Sequence, residues 1–166
     1  MRSQPFRVDQ IAVAPEPLLD SSVYDEADSF EVRLDHPDSH SAEEWVRTAL
    51  EDAPAGLRLL IRRVHRDVIR FRLGPQSDAD HILGWQIVTS SPDVLQLEAA
   101  GPVARGVIVA RRQSPTRATL TTFVFYRNSS ARFMWPFIRP VHQRVARYLL
   151  HRAAATFTAP AVTSMH

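Results

Sequence analysis

Few residues in this chain could do chemistry, and they lie far apart in sequence. His142 falls at the edge of an apolar stripe, one turn from Ile138 and beside Leu149. An imidazole there could face a cavity as a hydrogen-bond donor or a general acid–base. It could equally be a buried histidine satisfied by a strand carbonyl or by the neighbourhood of Trp135, since buried polar groups are nearly always paired. Glu98 is the one acid after Asp93, set in a strand among many arginines. It fits either a cross-strand ion pair with Arg105 or Arg127, or a cavity carboxylate with a shifted pKa. Trp85 and Trp135 could floor a pocket, although large aromatics usually fill core. Trp85, Glu98, Arg105, Trp135 and His142 are therefore the candidate wall residues of a ligand site.

Other constellations carry less. His36 and His40 stand four apart with Asp35 and Asp38 nearby, but Pro37 prevents a regular helix across them, so no metal site is expected. With 5 glycines and no cradle pattern among them, a phosphate loop has no support. No glycine-flanked serine marks a nucleophile elbow. The absence of cysteine removes a disulfide framework, a thiolate metal site and a cysteine nucleophile together. No cofactor is implied, and no catalytic residue can be assigned.

All 20 basic residues are arginine, which keeps its charge at any relevant pH and accounts for a pI near 9.6 at a formal charge of +2. The charges are unevenly placed. Residues 1–53 hold 13 of the 18 acids and only 4 arginines, whereas residues 54–166 hold the other 5 acids and 16 arginines. Either the basic part offers a nucleic-acid or anionic surface, or the acidic third lies against it. The acids are interspersed with apolar residues, which favours the second arrangement. No apolar run approaches the length that spans a bilayer. The N-terminus lacks the apolar core of an export signal, so a cytoplasmic protein is expected.

The elements that must position these residues follow from periodicity. Residues 1–27, with Pro5, Pro15 and Pro17, suggest an extended arm. Phe30, Val32 and Leu34 alternate with Glu31 and Arg33 as a short strand over 29–34. Ser41 and Glu44 form a capping-box pattern ahead of a helix reaching about Asp52. A second helix, from about Leu57 to Arg70, carries Leu57, Leu60, Ile61, Val64 and Val68 on one stripe and four arginines opposite. Strands over roughly 82–88, 94–100, 103–112 and 116–127, separated by short turns, predict an antiparallel meander. Asn128 caps a final helix over about 131–153, with Met134, Ile138, Val141, Val145 and Leu149 on one face. Pro136 and Pro140 inside it predict a kink or a broken first turn. Residues 154–166 suggest a loose tail. The fold class is α+β: a strand, two helices and a four-strand meander wrapped on a long C-terminal helix, with the domain over 28–153.

That order resembles the helix-grip fold of the START and polyketide-cyclase-like (SRPBCC) superfamily. Tyr24-Asp25-Glu26-Ala27-Asp28-Ser29-Phe30, Ser41-Ala42-Glu43-Glu44-Trp45, Leu83-Gly84-Trp85 and Ala131-Arg132-x-x-Trp135-x-x-x-x-Pro140-x-His142 look like a bacterial family of unknown function placed near that superfamily, over about residues 24–153. The resemblance implies an apolar guest, such as a lipid, polyketide or aromatic metabolite, held between sheet and long helix. Some superfamily members also cyclise, hydrate or isomerise their guests. Three functions are thus expected, in this order: a small-molecule-binding protein, a cyclase- or isomerase-type enzyme using His142 or Glu98, and an interaction module for nucleic acid or an acidic partner. Oligomeric state is left open by the sequence.

Overall fold

The computed structural model describes residues 4–20 and 23–159, and in these the chain forms seven strands and three helices. The strands are β1 (Phe6–Ile11), β2 (Glu26–Leu34), β3 (His81–Ile82), β4 (Trp85–Ser90), β5 (Val94–Ala100), β6 (Ala104–Ser114) and β7 (Arg117–Tyr126). They make one sheet in the order β1-β2-β7-β6-β5-β4-β3, with every neighbouring pair antiparallel. The helices are α1 (Ala42–Glu51), α2 (Ala55–Arg63) and α3 (Ser129–Thr158), all serving one face of the sheet. The fold is α+β and helix-grip-like, with a long C-terminal helix against an antiparallel sheet.

Local chemistry explains the boundaries. At the start of α1 the Glu44 amide donates to Ser41 Oγ at 3.1 Å while Glu44 Oε2 accepts from the Ser41 amide at 2.7 Å, which completes the capping box. α2 passes into a π-helical turn over Val64–Val68, so the second helix is two elements rather than one. It ends at Arg70, whose φ of 62° no helix can continue. Between β3 and β4, Leu83 (φ 50°) and Gly84 (φ 89°) make a two-residue turn. Glycine suits such a turn, but the buried Leu83 adopts a left-handed backbone at a cost that its packing must offset.

Three expectations change. The arm over 1–27 is not merely extended, because Phe6–Ile11 pairs residue for residue with β2 as an edge strand. α3 runs unbroken through Pro136 and Pro140 and continues to Thr158, into what was expected as tail. Both prolines point to the exposed side, where the carbonyls they deprive of donors can meet water. Lastly, the anticipated inner stripe of α3 is only partly packed: of Met134, Ile138, Val141, Val145 and Leu149, only Leu149 is buried. The buried residues of the helix are Ala131, Trp135, Ala146, Leu149, Leu150, Ala153 and Ala154, while Val141 is exposed. Small alanines let the helix approach α1 and β1–β2 closely, and alanine contributes too little to a hydrophobic pattern to reveal that face. The part of the expected tail over 160–166 lies outside the described residues.

The opposite face of the sheet is also covered. Val107, Val109 and Phe123 bury against Val13, Leu18 and Leu19 of the segment after β1. Glu16 secures that segment through Arg111 Nε at 3.0 Å and through the Leu18 amide at 3.0 Å. Burial pushes the Glu16 carboxyl up, but these donors outweigh it and hold the pKa below its ordinary value. The acidic third therefore does lie on the basic remainder: Glu16 pairs with Arg111, Glu31 with Arg117, and Asp38 with Arg112.

Candidate functional site

α2 has the clear apolar stripe that the sequence announces, yet not one of its residues is buried. The stripe borders a cavity of about 410 Å³ lined by the sheet, α1, α2, the π turn and α3 from Met134 to Leu150. Leu57, Ile61 and Val64 form one side, and Val32, Ile108, Leu120 and Val124 on the sheet form the floor. All three tryptophans of the chain, Trp45, Trp85 and Trp135, line it. Gly106 makes room for one of them: a Cβ there would lie 2.7 Å from the Trp85 ring. Four lining residues, Leu60 and Val68 on one bank and Phe137 and Val141 on the other, are also strongly exposed and mark the mouth.

Polar atoms are few in this wall, and they gather near Trp135. Trp85 Nε1 donates to His65 Nδ1 at 3.2 Å, which places the proton of neutral His65 on Nε2. Trp135 Nε1 and His142 Nε2 are shut off from solvent and have no partner in the protein. Their rings stand 6.1 Å apart, one residue being seven positions after the other on the same face of α3. Burial lowers the pKa of His142 against the opposing pull of Asp28. Burial, with the fields of His142 and Arg62, takes His65 down to about 3. Both imidazoles are thus neutral at neutral pH, and the charged residues of the wall, Arg111 and Arg112, are paired with Glu16 and Asp38.

The structure brings Trp85, Trp135 and His142 into one cavity and places Glu98 and Arg105 elsewhere. Glu98 opposes Val107 across β5–β6, on the far face of the sheet. There it takes Arg105 Nε at 2.6 Å and Nη2 at 3.1 Å, and Arg105 lies over the Phe125 ring. Glu98 also edges a separate polar recess with Arg72, His81 and Arg127. A Glu98–His142 acid–base pair across one void is therefore not formed. The alternation of Leu95, Leu97 and Ala99 into the core places Glu98 outward, a signal already present in the sequence. Two polar residues, one in the cavity wall and one behind it, were not anticipated. His65 follows Ile61 by four positions and so lies at the edge of the apolar stripe of α2. Buried Asp28 receives Gln143 Nε2 of α3 at 2.8 Å and sits close enough to influence His142.

The histidine–aspartate cluster before α1 has a structural role. Asp38 accepts from Trp45 Nε1 at 2.8 Å, pairs with Arg112 at 3.2 Å and hydrogen-bonds His40. The His40 ring in turn stacks on Phe157 near the end of α3. Among the described residues no group of three or more histidines, cysteines or acids is placed to hold a metal ion. No helix among them is long and apolar enough to cross a membrane.

No protein-family model matches the chain, and no curated protein does. A solution NMR structure of a protein from Arthrobacter aurescens is similar in part, with a TM-score of 0.43 at 10% identity over 87% of this chain and 98% of that one. A likeness of that degree assigns neither a family nor an activity.

Proposed function

We propose that the protein binds a small, mostly apolar molecule that carries one oxygen acceptor. The observation that supports this most directly is an amphipathic α2 whose apolar stripe has no fully buried residue and borders a cavity of about 410 Å³. Sites for small molecules typically run from about 300 to 1,000 Å³ and combine an apolar lining with a few convergent polar groups. Trp135 Nε1 is a donor only, so an unpartnered indole there favours a carbonyl, hydroxyl or ether oxygen on the guest. Neutral His142 and His65 favour an uncharged head over a strongly ionic one. The resemblance to helix-grip proteins points the same way.

Uptake of the neutral fluorophore N-phenyl-1-naphthylamine, read by quenching of the three wall tryptophans, tests the reading, together with native mass spectrometry of the purified protein. Saturable binding of one probe per chain is expected, weakened by Ile138→Trp, which adds bulk to the wall. Absence of saturable uptake by a folded chain with no retained guest would overturn it. An enzyme on the same scaffold needs a proton donor and acceptor at the cavity, and His142 beside Asp28 is the pair that supports that second reading. Turnover of an identified guest that survives His142→Ala would remove it.

A further inference from the structure

We propose that the rim of the cavity docks onto the surface of an anionic lipid bilayer, going beyond the binding of a guest. The mouth carries the largest exposed apolar side chains on the helices. Phe137 is 82% and Phe133 73% exposed, and they share one stripe of α3 with Val141. Across the opening, Leu60 and Val68 are also exposed. Exposed apolar side chains gathered on both banks of one opening mark an interaction site.

The charges around the patch select the partner. α3 contains no acidic residue, and Asp67 is the one acid between residues 54 and 77. Arg66 is occupied by Asp67, and Arg139 approaches Glu26 and Asp28. Arg63, Arg132, Arg144 and Arg147 are exposed and form no ion pair among the described residues. Arg144 follows Phe137 by seven positions and so lies on the same outward stripe. An apolar strip flanked by unpaired arginines is the pattern of a helix lying in a bilayer interface: rings enter the acyl boundary while guanidinium groups meet anionic headgroups. A second copy of the chain would set arginine against arginine. A nucleic acid would meet phenylalanine and valine where phosphates require donors. Docking in this orientation would seat the mouth on the apolar layer, where a guest could cross without entering water.

Co-sedimentation of the full chain with phosphatidylcholine vesicles, with and without phosphatidylglycerol, tests this. Binding is expected on the anionic vesicles alone and should weaken as salt rises. The double variant Phe133→Ser/Phe137→Ser should lose binding by about tenfold or more while melting like the parent, because both rings lie outside the core. Arg144→Glu/Arg147→Glu should do the same. Binding that is absent on every vesicle, or indifferent to the phenylalanines, would overturn the proposal. So would a concentration-dependent dimer abolished by the same phenylalanine pair, or tighter binding to duplex DNA than to vesicles. Naphthylamine uptake reports separately on the cavity, so failure of docking and failure of guest binding give different results.

Discussion

Acid should destabilise this fold through His65 well before its carboxylates protonate. The imidazole lines the cavity beside Trp85 and Phe71, accepts the Trp85 indole proton and faces the fields of His142 and Arg62. Burial first, and those fields second, lower its pKa from the ordinary 6.5 to about 3. Between those values the unfolded chain holds a proton there and the folded chain does not, so stability rises with pH across the window and falls as pH drops through it. Each pH unit in which only the unfolded state is protonated costs about 1.4 kcal/mol. Lowering the pH from 7 to 5 should therefore remove about 2 kcal/mol through this one group. Urea unfolding followed by tryptophan emission at both pH values measures it, with His65→Asn as the reference. The asparagine lacks a titrating group and offers an oxygen to Trp85. The difference in slope between the two proteins is the quantity that reports on His65. Parallel pH dependences for the two proteins would refute the reasoning.

Asp38→Ala should cost about 3–5 kcal/mol in urea unfolding, because it leaves buried Arg112 without its carboxylate and Trp45 Nε1 without an acceptor. Glu98→Gln should change stability by less than about 1 kcal/mol and leave naphthylamine uptake untouched, since the pair it breaks is partly exposed and away from the cavity. Gly106→Ala should lower stability by about 1–3 kcal/mol, seen as a lower Tm, by forcing its new methyl against the Trp85 ring.

The meander, α1 and α2 were legible because each announces itself by a local device: alternation between turns, a capping box, a stripe at helical spacing. The cavity was legible only in part. Trp85, Trp135 and His142 each sit within a strongly patterned element, so their inward direction could be read. What no local pattern supplies is the parity of a strand with apolar residues on both faces. In β6, Val107 and Val109 face the N-terminal segment while Ile108 and Ala110 face the helices, so Arg105 gives no clue to its side. The same holds for β1, six residues whose strand character comes from pairing with β2 rather than from a long alternation. His65, four positions after Ile61, was open to reading at the edge of the α2 stripe; the π turn alters only the side chains that follow it.

The two prolines of α3 divide that helix into unequal mechanical parts. Beyond Pro140 its alanines and leucines are clamped on α1 and the first two strands. Ahead of it, the carbonyls of Arg132 and Pro136 lack their usual amide donors. The segment that roofs the mouth is consequently held by fewer backbone hydrogen bonds, with Ala131 and Trp135 as its buried anchors. Its amides should trade protons with heavy water sooner than those downstream, which gives a route of entry that requires no unfolding of the sheet.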